Sequence, residues 1–144
     1  PDHRFSDVIV YALLETGDAW ALYRAGKEWS AARFSKAITE ALIATGDAAM
    51  LYRAGMDWPA ERYDERIAQA LAEPRHPLSL YDAGQNWPEG RFTAVIVRGL
   101  VEVGDPGWLY LAGLCWPDGR YTDDILQGLI KTRDAEYLYR AWRE

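Results

Sequence analysis

Apolar positions along this chain recur with two nested periods. Locally they fall three and four residues apart, as in Ile9, Ala12 and Leu13, while positions 7, 11 and 15 and their counterparts carry mostly polar residues. That spacing draws one apolar stripe along an α-helix and leaves the opposite side wet. The stripe itself then repeats. An aromatic following Arg stands at Phe5, Phe34, Tyr63, Phe92 and Tyr121, 29 residues apart at every step. The same interval carries Arg4, Arg33, Arg62, Arg91 and Arg120, then Ile9, Ile38, Ile67, Ile96 and Ile125, then Leu13, Leu42, Leu71, Leu100 and Leu129. Leu22-Tyr23 returns four times, ending at Leu138-Tyr139, and Trp29 returns as Trp58, Trp87 and Trp116. A fixed period of this size marks an array whose units bury their apolar faces against one another.

The expectation is an all-α chain, an α-solenoid of five tandem 29-residue helix-turn-helix repeats: 1–29, 30–58, 59–87, 88–116 and 117–144. They form a single domain, or a segment of a longer array, and the last unit stops one residue short of where a fifth Trp would stand. Ser6, Ser35, Asp64, Thr93 and Thr122 precede the first stripe and are capping residue types, with the preceding aromatic placed as a hydrophobic staple. Pro88-Glu89-Gly90 and Pro117-Asp118-Gly119 read as turns before that helix. The alternative makes Pro the first helical residue, so that the helix begins about four residues earlier. Gly17 and Gly46 stop the first helix, and Asp18, Asp47, Asp105 and Asp134 cap the second. Gly26, Gly55, Gly84 and Gly113 end that second helix, leaving about seven residues for it, too few to persist alone in water. Unit three departs from the pattern with Glu73-Pro74-Arg75-His76-Pro77 between its helices, and unit five carries Trp142 in place of the glycine.

The recurring W-P-x-G-R-[FY] and G-D-x-x-x-L-Y-x-A-G segments resemble, in architecture, the α-solenoid group and its short HEAT-like helical pairs. The W-x-x-L-G of tetratricopeptide repeats and the T-P-L-H of ankyrin repeats are both missing. The resemblance implies a scaffold whose curved surface grips peptides, proteins or other ligands, and it assigns no functional residue.

Composition narrows the partner. A net charge of −6 repels phosphate backbones and argues against nucleic acid. No apolar run approaches the roughly 18 residues of a membrane span, and the start PDHRFSD lacks the basic and apolar regions of a signal peptide. One cysteine, Cys115, closes no internal disulfide, so a cytoplasmic location is the default. A first residue of Pro rather than Met points to processing or to excision from something longer.

Residues kept in every unit serve the unit: the Trp, Leu-Tyr and Ile positions read as packing. The Arg ladder reads as a partner for helix-end carbonyls or capping Asp, with a ligand-binding row as the sharper alternative. Residues that vary say more about a partner. Positions 20, 24 and 27 share one face of the second helix and change from Trp20, Arg24 and Lys27 to Arg53 and Met56, Leu78 and Asp82, Leu111 and Leu114, and finally Arg140. Trp, Met and Arg are favoured at interface hot spots, so these ten residues form the candidate partner-binding face; the bland reading is drift on a solvated side.

Chemistry is thin elsewhere. His3 and His76 lie in different units, Cys115 beside Trp116 reads as a small buried apolar residue, and Asp123-Asp124 as a solvated helix start. No catalytic residue, metal ligand or cofactor is assigned. The expected activity is protein or peptide binding as scaffold or adaptor. Next come end-to-end self-association, because terminal units keep Ile9, Leu13, Leu22, Leu129, Ile130 and Tyr137, and then an enzyme holding a peptide in an extended groove.

Overall fold

The computed structural model describes residues 7–143, and these form ten α-helices and no strand. The helices are α1 (Asp7–Thr16), α2 (Ala19–Glu28), α3 (Lys36–Thr45), α4 (Ala48–Asp57), α5 (Arg66–Ala72), α6 (Pro77–Asn86), α7 (Ala94–Val103), α8 (Pro106–Cys115), α9 (Asp123–Thr132) and α10 (Ala135–Arg143). Ser6, with His3, Arg4 and Phe5, lies outside the described residues. Among those described, no helix is long and apolar enough to cross a membrane.

The even helices start as their sequences dictate. Asp18 accepts from the Ala21 N–H at 2.8 Å, Asp47 from Met50 at 3.0 Å, and Asp134 from Tyr137 at 3.1 Å. Each satisfies an N–H with no partner inside the helix. In unit three His76 takes this place, its Nδ1 facing the Ser79 hydroxyl at 2.9 Å and the Ser79 N–H at 3.4 Å. The odd helices are capped less regularly. Thr93 accepts from Val95 and Asp64 from Arg66, whereas Ser35 and Thr122 make no side-chain cap. Pro does not open the odd helix: Pro88 leads into a single 310 turn, Glu89–Arg91, and the chain is extended at Phe92 and Thr93 before α7.

The expected stop at Gly113 is wrong, since α8 runs on to Cys115, and so is the one at Gly26, Gly55 and Gly84. The helices run on to Glu28, Asp57 and Asn86, ten residues each, and Trp29, Trp58 and Trp87 are the C-caps. These glycines make room. A Cβ on any of the three would overlap the indole of Trp58, Trp87 or Trp116 respectively. Gly46, by contrast, does stop its helix, at φ 66 in the left-handed region where glycine is unstrained.

Helices pack in two rows. α1, α3, α5, α7 and α9 contact in series, as do α2, α4, α6, α8 and α10, and each even helix from α2 to α8 packs closely on the odd helix that follows it. The core lies between the rows: Leu22, Leu51, Leu80 and Leu109 from the even helices meet Ile38, Ile67, Ile96, Leu42, Leu71 and Leu100 from the odd ones, all with no exposed surface. Burial weakens toward both ends, where Ile9 and Ile130 are about half exposed and Trp142 stands almost entirely in solvent.

Candidate functional site

Three successive seams between even helices are closed by the same set of contacts. The indole N–H of Trp58 donates to the Tyr23 carbonyl at 2.9 Å, Trp87 to Tyr52 at 3.0 Å and Trp116 to Tyr81 at 3.0 Å. Each indole also meets an aromatic ring edge-on: Phe34–Trp58, Tyr63–Trp87 and Phe92–Trp116, with centroids 5.8, 6.0 and 5.7 Å apart. That aromatic therefore braces the seam rather than stapling its own helix.

The Arg ladder belongs to the same seams. Arg62, Arg91 and Arg120 donate to the carbonyls of Gly26, Gly55 and Gly84 at 2.8, 2.8 and 2.9 Å, and through the second terminal nitrogen to those of Trp29, Trp58 and Trp87. Their guanidinium groups lie over Phe34, Tyr63 and Phe92 at 4.7 to 4.8 Å. These three cations are thus committed to helix-end carbonyls left without intrahelical partners, and the ligand-binding alternative is withdrawn for them. Burial pushes the Tyr63 hydroxyl up to about 12 even though Arg91 opposes the shift.

A second position varies across the seams. The Tyr23 hydroxyl donates to Asp57, Asn86 donates to the Tyr52 hydroxyl at 3.1 Å, and Tyr81 faces Cys115. Tyr23 and Tyr81 are both pushed up to about 12, first by burial and then by those partners. Cys115 is exposed, which corrects the buried reading. It occupies the solvent-side position that Asp57 and Asn86 hold in other seams.

The ten residues of the candidate partner-binding face stand on the even row. At one end Trp20 is 48% exposed, with Arg24 6.0 Å and Arg53 5.6 Å from its ring centroid. Arg24 also pairs with Glu28 at 3.1 Å, and Lys27 is exposed beside them. This end is cationic and aromatic. Along the middle, Met56 packs half-buried against the core, Leu78 is exposed, and Asp82 is half-buried. Burial raises the Asp82 carboxyl, and the nearby His76 opposes that shift.

At the far end Leu111 and Arg140 share a cleft of about 330 Å³ with Trp108, Tyr110 and Tyr137, while Leu114 is exposed one turn on from Leu111. Arg140 lies 5.3 Å from the Tyr137 ring and 2.8 Å from Glu136. The sequence reading gives Trp108 no role and Tyr137 only a place at the terminal face, not in the partner-binding face. Their signal was an aromatic one residue beyond the chosen position, where other units have Ala21, Met50 and Ser79. The structure thus gathers Trp20, Arg24 and Arg53 at one end and Leu111 with Arg140 at the other.

Among the described residues no three His, Cys, Asp or Glu side chains cluster closely enough to hold a metal ion. Set against models of known protein families, curated proteins and solved structures, the chain matches none; its packed neighbouring helices are compatible with a helical repeat.

Proposed function

We propose that the chain is an α-solenoid of five 29-residue helix pairs, and that the outer face of its even helices binds an extended segment of a protein or peptide. The supporting observation is where large apolar side chains meet solvent. Among the described residues, α3, α5 and α7 expose none, whereas the even row exposes Trp20, Leu78, Leu111 and Leu114. The odd row exposes large apolar side chains only on its outermost helices, Val8, Ile9 and Tyr11 on α1 and Leu126 and Ile130 on α9; between them such exposure falls on the even row, and a packed scaffold's exposed apolar side chains mark a contact surface. Even helices packed roughly 8–10 Å apart offer a track of about 40 Å, long enough for about 12 extended residues. Trp20, Arg24 and Arg53 suit a segment carrying acidic or aromatic groups; Leu111, Leu114 and the Trp108–Tyr137 cleft suit apolar ones. Because the scaffold is preformed, little ordering cost falls on it when a partner binds.

The test begins with an array of 12-residue peptides. For a peptide that binds saturably, Arg53→Glu and Leu111→Asp should each weaken binding while thermal unfolding stays within a few degrees of the parent. Normal binding by both variants, with Glu40→Ala or Gln69→Ala proving sensitive, would put the surface on the odd row instead.

End-to-end assembly is the second reading, favoured by the exposure of Ile9 and Ile130. Such a contact cannot copy the internal seams. Position 142 corresponds to Gly26, Gly55 and Gly84, and Trp142 fills the space that an incoming indole would need. Growth of the scattering mass with concentration would support assembly through some other contact.

A further inference from the structure

Charge is unevenly spread along the even row. α2 and α4 carry the exposed cations Arg24, Lys27 and Arg53, whereas the one charged residue of α6 is Asp82, and α8 has none across its ten residues. On a chain of net charge −6 the α2–α4 end is thus locally cationic. Its cations are also held in place. The Trp20 ring on α2 carries Arg24 of its own helix at 6.0 Å and reaches across to Arg53 of α4 at 5.6 Å. A guanidinium over a ring engages its face and keeps its N–H edge for an acceptor. No carboxylate of the described residues answers Arg53. It forms no ion pair among them, and Asp57, one turn along α4, instead accepts from the Tyr23 hydroxyl. Arg24 does pair with Glu28, but both side chains are about half exposed, and an exposed pair of this spacing contributes little and exchanges readily for an incoming anion. Two positive charges around one ring repel each other, and a carboxylate bound between them relieves that repulsion.

We propose that the partner of the even-row face is a segment with two anchors: an Asp or Glu seated on Arg53 and Arg24 beside Trp20, and a large apolar side chain about eight residues away, against Leu111 and the Trp108–Tyr137 cleft. This rests on the even-row reading and narrows its partner. Each anchor lies between two helices of the described chain, α2 with α4 and α8 with α10. Their separation follows from the row. Three helix spacings of about 8–10 Å make roughly 24–30 Å, which an extended chain covers in about eight residues at roughly 3.3 Å each. Charge sets the register. Moved along to α6, the acid would meet Asp82 in place of a cation; moved to α8, it would lie uncompensated beside the exposed Leu111 and Leu114. Arg140, in the far cleft, is a single guanidinium held by Glu136 at 2.8 Å, whereas the Trp20 end offers Arg53 with its edge unpaired among the described residues. The same cations reject a basic residue at that end, so the charge pattern discriminates as well as attracts.

The probe is a displayed library of random 12-residue peptides selected on the 144-residue chain, with the selected sequences then synthesised and titrated by fluorescence anisotropy. Enrichment of Asp or Glu about eight residues from Leu, Phe or Trp is expected. Replacing that acid by its amide should weaken binding about fivefold on the parent and hardly at all on Arg53→Gln, whose thermal unfolding stays within a few degrees of the parent's. Arg53→Glu should invert the preference, so that a Lys version of the peptide outbinds the acidic one. Leu111→Asp should weaken the acidic peptide and its amide version alike. Peptides that respond to Leu111→Asp but show no acid enrichment and ignore Arg53→Gln would leave the even-row reading standing and overturn this inference. A binder that needs a phosphorylated residue in place of the acid overturns the carboxylate assignment. Peptides indifferent to both positions, or a selection without any saturable binder, overturn the two readings together.

Discussion

The seam between α4 and α6 and the one between α8 and α10 are written in the same residues and end differently. In the first, Trp87 covers Gly55, stacks on Tyr63 and reaches the Tyr52 carbonyl, and Arg91 locks the helix end behind it. In the second, Gly113 and Tyr121 face solvent across a cleft. A recurring residue therefore has no role of its own. Gly55 serves close packing because an indole lies on it, whereas a Cβ at Gly113 would meet only the Tyr121 ring.

The largest expected effect tests whether the closed seam carries stability. Trp87 is 1% exposed, so Trp87→Ala removes a buried ring along with its hydrogen bond and should cost about 3–5 kcal/mol in urea unfolding. Glu40→Ala on the wet side of α3 should stay within about 0.5 kcal/mol. Equal effects from the two would mean that the inside and outside of the rows are confused.

A sharper test uses one substitution at both seams. Gly55→Ala sets a methyl group against a buried indole and should cost about 1–3 kcal/mol, as overpacked cores do. Gly113→Ala has space and swaps a poor helix former for the best one, so it should be neutral or stabilising by up to about 1 kcal/mol. Opposite signs in parallel denaturant titrations are the expected outcome. A shared loss would show that the Gly113 slot is also closed.

How much of this could be read from sequence depends on which residues carry a single meaning. The period exposed the core directly: Leu51, Ile67, Leu71 and Trp58 are buried because a residue needed at every seam recurs at every seam. Glycine carries two meanings. Gly46 ends a helix by taking a left-handed backbone, Gly55 sits inside a helix to admit an indole, and only the backbone angle and the neighbour tell them apart. The ladder Arg was legible to its chemistry but not to its partner carbonyls, which lie 33 and 36 residues away. Cys115 was misjudged from the habits of its residue type, although Asp57 and Asn86 in the same register had already marked the position as facing solvent. The Trp108–Tyr137 cleft escapes the sequence pattern because its aromatics fall one residue beside the three variable positions of the even helix.

The smallest expected effect separates the seams by pH. The Tyr63 hydroxyl, buried beneath Trp87 and donating to the Arg91 carbonyl at 3.3 Å, is pushed from 10.0 up to about 12, chiefly because burial disfavours the phenolate. Below pH 10 both the folded and the unfolded chain keep this proton, and its contribution to stability is constant. Between pH 10 and about 12 the unfolded chain releases the proton while the folded chain holds it, so stability must fall with rising pH through that window. Tyr63→Phe removes the proton and one long hydrogen bond but keeps the ring; Phe34 and Phe92 already serve at the equivalent seams. The variant should therefore lose only a little stability at neutral pH and show a shallower alkaline decline than the parent in urea titrations repeated across the window. Parallel alkaline declines would mean that Tyr63 is not held in a closed seam.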